Sequence, residues 1–410
     1  MAILIAEILT IGTEVITGSI LNTNAQYLAG KLMDLGIEPI YHTSVDDNKE
    51  RLRNVFKTSL DRADIIITTG GLGPTQDDLT KEVISSTLEL PLERDSSMEE
   101  NIRMMFQNMH RDMTENNLKQ AERPLGSQFI ENSNGTAPGI FINKNGKKII
   151  LLPGPPKEMI PMFENYVAGL IKEDYTIIQK SANLIGIGES ALETELKKLD
   201  VYTNGFEIAT FAKDGEVEIK IIGKGKVRLE VEEKVNEILD IINKKFSEFI
   251  YGYDNIPIEE LGLNRLKEKR FKMSLCESCT GGLITSRLTG ISGASEVLDR
   301  GLVTYSNQAK IDELNVKPLT LENHGAVSRE TAYEMAKGLI EKTNSDIVLS
   351  ITGIAGPLGG SIEKPVGLVY MCVMTRDNYK IYENHFTGNR TSIQNRATIK
   401  AFYEIFNFLR

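Results

Sequence analysis

Short apolar runs alternate with amphipathic helical stretches over the first part of the chain. Ile3 to Thr10, Glu38 to Val45 and Asp64 to Thr69 read as strands. Between the first two, Thr23-Asn24-Ala25-Gln26 has the form of a capping box and opens a helix that runs to Leu35 and stops at Gly36. Between the second and third, Asp46-Asp47-Asn48 leads into a helix with apolar positions at Leu52, Val55, Phe56 and Leu60. This alternation predicts a doubly wound α/β domain, whose ligands bind in loops that follow strand ends. Ser96 to His110 reads as a helix rich in Met and Phe, suited to core or to a dimer surface, and Gln128 to Ile150 holds short strands with a hairpin turn at Asn145-Gly146.

From about Tyr175 the texture changes. Ile177 to Leu184 reads as a strand, Gly186-Ile187-Gly188-Glu189-Ser190 opens a helix from Ala191 to Leu199, and Phe206 to Ala212 pairs with Glu216 to Gly223 around Asp214-Gly215. Val227 to Phe246 then reads as a charged amphipathic helix, which completes a small α+β unit. The last part begins near Asn255-Ile256-Pro257, with a helix from Ile258 to Lys269 and a strand from Phe271 to Leu275. Gly301 to Tyr305 and Asp346 to Ile351 are further strands around a helix from Ser328 to Thr343. Leu368 to Met374 is apolar throughout, as a central strand should be.

Composition narrows the classes. The 410 residues suffice for two or three domains, and the net charge of −10 argues against a general nucleic-acid surface. No stretch approaches the roughly 18 apolar residues of a membrane span, and the N-terminus shows no basic region or cleavage site, so a cytoplasmic protein is expected. Three cysteines cannot build a disulfide framework. Cys276-Glu-Ser-Cys279 has redox spacing, but reads better as a buried small hydrophobe followed by a turn residue, and Cys372 reads as core.

Three N-terminal loops carry candidate chemistry: Gly12-Thr13-Glu14, Asp46-Asp47, and Gly70-Gly71-Leu72-Gly73-Pro74-Thr75-Gln76-Asp77-Asp78. The glycines would let backbone approach a phosphate, and Pro74 with the polar residues behind it would open a helix whose positive end faces the ligand. Carboxylates beside a phosphate repel it unless a divalent cation intervenes, so Asp46, Asp47 and Asp78 suggest a metal with hard oxygen ligands. A plain turn with Asp helix caps accounts for the same residues equally well.

In the last part, Leu275-Cys276-Glu277-Ser278-Cys279-Thr280-Gly281-Gly282 runs from strand through a small-residue turn into the helix that starts at Leu283. Such a turn presents a hydroxyl where backbone N–H groups point outward, which suits a nucleophile beside an oxyanion or phosphate site, and Ser278 is the candidate. A helix cap is the competing reading.

Thr68 to Thr75 with Asp77-Asp78-Leu79-Thr80, Gly12-Thr13-Glu14, Gly135-Thr136-Ala137-Pro138-Gly139 and Leu152-Pro153-Gly154-Pro155-Pro156-Lys157-Glu158-Met159 together resemble the molybdopterin-binding-type domain of the CinA family. The Ser278 turn, Tyr305-Ser306-Asn307-Gln308-Ala309-Lys310, Thr352-Gly353-Ile354-Ala355-Gly356-Pro357 with Lys364-Pro365-Val366-Gly367, and Phe386-Thr387-Gly388-Asn389-Arg390 resemble that family's C-terminal domain. The resemblance implies an α/β fold: a three-layer α/β/α domain over 1–172, a KH-like α+β domain over 173–252, and an α/β/α deamidase domain over 253–410. It implies metal-dependent ADP-ribose pyrophosphatase activity for the first domain, with Asp46 or Asp47 and Asp78 as its acidic residues. It implies nicotinamide mononucleotide deamidase activity for the last domain, so that both act in NAD salvage. A homodimer is also implied. Nucleic-acid binding by the middle domain is disfavoured, because Gly186-Ile187-Gly188-Glu189 departs from the Gly-x-x-Gly loop and carries an acid. Leu358 and Asn389 depart from the family pattern, where small or polar residues and Asp are usual.

Amide hydrolysis needs a nucleophile, a base, an oxyanion site and a proton for ammonia. None of the four histidines, His42, His110, His324 and His385, lies in the glycine-rich loops of this domain, so a lysine base is expected. Lys310 is the candidate, with Tyr305 as partner or proton relay; Arg390 has the fork geometry to hold a phosphate or orient the carboxamide. Cys279, Thr280, Gly281, Gly282, Thr352 and Gly353 are expected to contact substrate, without a metal. The rival class is a nucleotide- or pterin-binding adaptor in competence or the DNA-damage response.

Overall fold

The computed structural model describes residues 3–110, 112–199 and 201–410. The chain divides into two compact units, Met1–Ile178 with Gly223–Lys234, and Gln179–Ile222 with Val235–Arg410.

In the first unit, β1 (Ile5–Ile11), β2 (Glu38–Val45) and β3 (Ile65–Thr69) precede a small antiparallel pair, β4 (Leu92–Arg94) and β5 (Glu122–Pro124). β6 (Gln128–Ile130), β7 (Gly139–Lys144) and β8 (Lys147–Leu152) complete a six-stranded sheet of order β2-β1-β3-β8-β7-β6. β2, β1, β3 and β8 run parallel, so their carboxyl ends gather at one edge of the sheet. β7 and β8 form the expected hairpin, with Asn145 and Gly146 at φ 53° and 78°. Along β3, Ile65 and Ile67 join the core beneath the helix Thr23–Asp34, whereas Ile66 joins Phe56 and Ile84 of the helices Lys49–Arg62 and Thr80–Thr87 on the opposite face. That alternation makes three layers.

Three local expectations change. The cap of the helix Thr23–Asp34 is Asn22, whose side chain accepts from Ala25 N at 3.1 Å. The helix after the glycine-rich loop starts only at Thr80, so Pro74 does not open it: Asp78 instead accepts from Thr75 N and holds residues 75–78 as a tight turn. The helix Ser96–Asn108 buries only Ile102 and is not core.

β9 (Thr176–Leu184), β10 (Phe206–Lys213), β11 (Glu216–Gly225) and β12 (Ile250–Tyr253) form a second sheet of order β10-β11-β9-β12. The helix Arg228–Phe246 buries Val231, Val235, Ile238, Ile242 and Phe246, a helical spacing.

β13 (Met273–Glu277), β14 (Leu298–Val303), β15 (Ile347–Gly353), β16 (Leu368–Thr375) and β17 (Tyr379–His385) make the third sheet, of order β14-β13-β15-β16-β17. β13 is parallel to β14 and β15, while β16 and β17 are antiparallel additions. Met273 and Leu275 face the core built with Leu263, Leu288 and Phe402, from the helices Ile258–Lys269, Leu283–Thr289 and Arg390–Phe408. Cys276 faces Leu314, Met335 and Leu339 of the helices Asn307–Leu314 and Arg329–Lys342 on the other side. This domain is also α/β/α. The strand runs two residues further than its apolar pattern predicts, so Glu277 is its last residue and Ser278 the first beyond it. β17 carries a mostly polar edge sequence and had no apolar signal to mark it.

The two helices on the Cys276 side touch through backbone. A Cβ at Gly338 would lie 1.7 Å from the Leu314 carbonyl oxygen, so Gly338→Ala is expected to destabilise the second unit by about 2 kcal/mol or more. Urea unfolding checks this against Gly169→Ala, which has nothing within 4 Å of the added carbon and should cost nothing.

Candidate functional site

Ser278 leaves β13 between two fixed points. Its N–H donates to Ile351 O at 3.0 Å on the neighbouring strand, and Gly281 N donates back to Ser278 O at 3.1 Å. The helix Asn307–Leu314 is capped by Ser306, which accepts from Ala309 N at 3.0 Å. That helix sends Lys310 inward, and its side chain is only 1% exposed. Lys310 Nζ lies 3.0 Å from Ser278 Oγ, 2.8 Å from Thr304 O and 3.4 Å from Tyr305 O.

Among the described residues no carboxylate pairs with this ammonium, and burial lowers its pKa from the ordinary 10.5. A neutral amine has two N–H donors and one lone pair. The Thr304 and Tyr305 carbonyls take the two donors, which leaves the lone pair for the Ser278 hydroxyl proton. The pair therefore has the geometry of a nucleophile and its base.

The other expected residues divide. Arg390, at the start of its helix behind the Asn389 cap, donates from Nη1 to Gly356 O at 2.9 Å and from Nη2 to Tyr305 Oη at 2.8 Å. Tyr305 is 59% exposed and turns its phenol to Arg390, while only its carbonyl reaches Lys310, so its hydroxyl does not meet the Ser278–Lys310 pair directly. Thr352 is buried and its hydroxyl donates to Ala326 O at 2.7 Å. Gly353 passes so close to β16 that a Cβ would meet Val369 at 2.6 Å. The Thr280 hydroxyl and the Gly282 N–H both donate to Glu277, so neither faces outward as expected. Cys279 is buried, its carbonyl accepts from Gln394 at 2.8 Å, and burial pushes its thiol up to about 12. Burial also shifts the Cys276 thiol upward, and all three cysteines are free, so the Cys-x-x-Cys pair lacks the low-pKa thiol of a redox motif.

In the first unit, the carboxyl ends of β1, β3 and β8 open on a cavity of about 380 Å³. Gly70 to Pro74 form one wall and Pro153 to Pro155 another. Glu14, Asp47, Asp77, Asp78 and Glu158 line it, and among the described residues no lysine or arginine does. A second compartment of about 280 Å³, with Val15, Ile20, Leu21 and Pro156 in its lining, shares Ile11, Glu14, Gly154 and Pro155 with the first.

Asp47 accepts from Thr13 N at 2.9 Å and Thr13 Oγ1 at 2.8 Å, and Asp78 from Thr75 N at 2.9 Å. Asp46 is not in the cavity lining; it pairs with Arg51, whose hydrogen bonds hold its carboxyl below the usual range. Among the described residues no three His, Cys, Asp or Glu side chains gather as metal ligands. Asp47 and Asp78 by themselves supply only part of a coordination shell, the rest of which would have to come from water and substrate phosphates. Two lysines escaped the sequence reading. Lys81 is buried under the glycine-rich loop, donates to Lys119 O and is pushed down to about 8 by burial; Lys119 in turn donates to Asp78 O.

The two folds and sites define an α/β protein with a buried Ser–Lys pair in one unit and an acid-lined, glycine-walled cavity in the other. Family models match in three consecutive stretches: "Probable molybdopterin binding domain" over 7–173, "Damage-inducible protein CinA KH domain" over 179–252 and "CinA C-terminal domain" over 255–409. A relative from Caldicellulosiruptor bescii is 46% identical over 408 residues, 98% of each chain, and one from Acetivibrio thermocellus is 44% identical over 402 residues, 97% of each. Both carry competence-damage inducible protein in their names. A crystal structure of competence/damage inducible protein CihA from Agrobacterium tumefaciens is 42% identical, with a TM-score of 0.37, covering 37% of this chain and 96% of that one. The chain belongs to the CinA family. Among the described residues no helix is long and apolar enough to cross a membrane.

Proposed function

We propose that the chain is a bifunctional hydrolase of pyridine-nucleotide metabolism, acting in the cytoplasm where such nucleotides are found. Its C-terminal domain hydrolyses the carboxamide of nicotinamide mononucleotide to nicotinate mononucleotide and ammonia. The observation that carries this reading is the 3.0 Å contact between Lys310 Nζ and Ser278 Oγ in a buried seat where, among the described residues, no carboxylate pairs with the lysine. Ser278 Oγ attacks the carboxamide carbon while Lys310 takes its proton; Lys310 then gives that proton to the leaving amine, and ammonia departs as the acyl–serine ester forms. Water, deprotonated by Lys310, cleaves the ester and restores Ser278. Release of ammonia and nicotinate mononucleotide in equal amounts from nicotinamide mononucleotide, undiminished by a chelator, tests the reading.

Arg390 bonds Gly356 O and the phenol of Tyr305, whose carbonyl reaches Lys310, and its guanidinium suits the nucleotide phosphate. Arg390→Lys keeps the charge but loses the fork. It is expected to raise KM for nicotinamide mononucleotide by about tenfold, with a smaller change in kcat, as steady-state kinetics would show.

The N-terminal domain, on the same proposal, cleaves ADP-ribose to AMP and ribose 5-phosphate. A diphosphate entering a cavity lined by five carboxylates and, among the described residues, no cationic side chain calls for a cation. Asp47 and Asp78 would hold a divalent ion there, which when bound offsets phosphate charge and polarises a phosphoryl oxygen. The residues of the loop from Gly70 to Pro74 bring backbone close to the phosphates, and the adjoining apolar compartment has room for a ring of the nucleotide.

A further inference from the structure

Glu277 is fully buried, immediately precedes Ser278, and has no cationic partner among the described residues. Five donors surround it instead. Oε2 accepts from Thr280 Oγ1 at 2.7 Å, Gly282 N at 3.0 Å and Ile284 N at 3.1 Å; Oε1 accepts from Thr285 N at 2.8 Å and Thr285 Oγ1 at 2.7 Å. Every one of these donors lies in the turn and first helical residues that follow the serine. A helix start leaves such N–H groups without intrahelical partners, and here a carboxylate from the chain itself consumes them. Gly281 N and Leu283 N are also spent, on Ser278 O and Thr280 O.

The remaining N–H groups of the turn, those of Cys279 and Thr280, meet the buried Cys279 sulfur, so the turn holds its shape with its donors occupied. Glu277 reaches the base as well: its carbonyl accepts from Thr304 N at 2.8 Å, and Thr304 O is the seat of Lys310 Nζ. We infer that Glu277 is the positioning residue of the Ser278 site, holding the turn and, through Thr304, the Lys310 seat, so that Ser278 Oγ stays against Lys310 Nζ. The inference rests on the amide-hydrolase reading of Ser278 and extends it to the residue that keeps nucleophile and base in register. Parity along β13 agrees: Glu277 shares the face of Met273 and Leu275, where the helix Leu283–Thr289 lies.

The test is Glu277→Gln, with Glu277→Ala beside it, in the full chain. Glutamine keeps the shape but turns an NH₂ group on donors that need an acceptor. Per folded molecule, kcat for nicotinamide mononucleotide is expected to fall by about 100-fold or more with KM within about threefold, because placing a nucleophile against its base acts on the chemical step and not on substrate binding. A merely structural glutamate would instead lower the folded fraction and leave kcat per folded molecule alone.

A fluorophosphonate gives a readout independent of that substrate. Ser278 Oγ bonds to phosphorus, the P–F bond breaks, fluoride leaves and Lys310 takes the serine proton. Labelling of Ser278, followed by intact mass, is expected to slow by about 100-fold in Glu277→Gln. If the wild type labels and the variant slows while neither turns over nicotinamide mononucleotide, the substrate assignment falls and the positioning role stands. Equal rates in the folded variant, or a folded wild type that never labels, overturn the inference.

Discussion

Alanine at Ser278 or at Lys310 is expected to lower ammonia release from nicotinamide mononucleotide by about 1,000-fold or more, with the double variant no worse than either single one. The two side chains act as a unit: without the amine the hydroxyl keeps its proton, and without the hydroxyl the amine has nothing to activate. Lys310→Arg should fail as completely, since a guanidinium does not deprotonate. Burial lowers the Lys310 pKa from 10.5, and in the proposed mechanism the deprotonated amine is the base. The rate therefore rises with pH along a limb centred below 10.5 and falls as pH drops through the Lys310 pKa. A pH–rate profile with no ascending limb below that value would assign the base elsewhere. Both single variants should stay folded, because Lys310 is replaced in a seat that already penalises its charge.

The second large effect belongs to the other domain. Asp78→Ala, or removal of divalent ions by a chelator, is expected to reduce ADP-ribose hydrolysis by about 100-fold, and Asp47→Asn by a similar factor, while Asp46→Asn has little effect. The contrast follows from placement: Asp47 and Asp78 line the cavity, whereas Asp46 is turned to Arg51. Release of AMP, measured with and without added Mg²⁺, checks it. Hydrolysis indifferent to chelation and to Asp78→Ala would remove the metal from the account. Neither change should alter ammonia release, since the serine site holds no role for a metal in its proposed chemistry.

The apolar periodicity identified both α/β domains because buried parallel strands such as β3 and the antiparallel β16 are nearly all hydrophobic, and the glycine-rich loops marked the strand ends where sites form. The Ser278–Lys310 pairing was visible as a choice of residue types, but the distance joining residues 32 apart depends on how the helix Asn307–Leu314 packs. Glu277 gave no signal. A buried glutamate at a strand end looks like an exposed one until its five donors are seen, and those donors are mostly backbone groups that sequence does not distinguish. Tyr305 partners Lys310 through its carbonyl, while its ring lies beyond β14 and reaches Arg390, a division of roles that residue type does not reveal. The edge strand β17 was hidden by its polar composition, and the Asn22 cap by the more familiar Thr-x-x-Gln pattern one residue later.

In the proposed deamidation Ser278, with Lys310 as its base, becomes covalently acylated. Mass spectrometry of the full chain, quenched within the first turnovers of nicotinamide mononucleotide, is expected to show a transient species heavier by one substrate less ammonia, localised to the peptide containing Ser278 and absent from Ser278→Ala. Steady turnover by Ser278→Ala, or a wild-type acyl group carried on another residue, would contradict it.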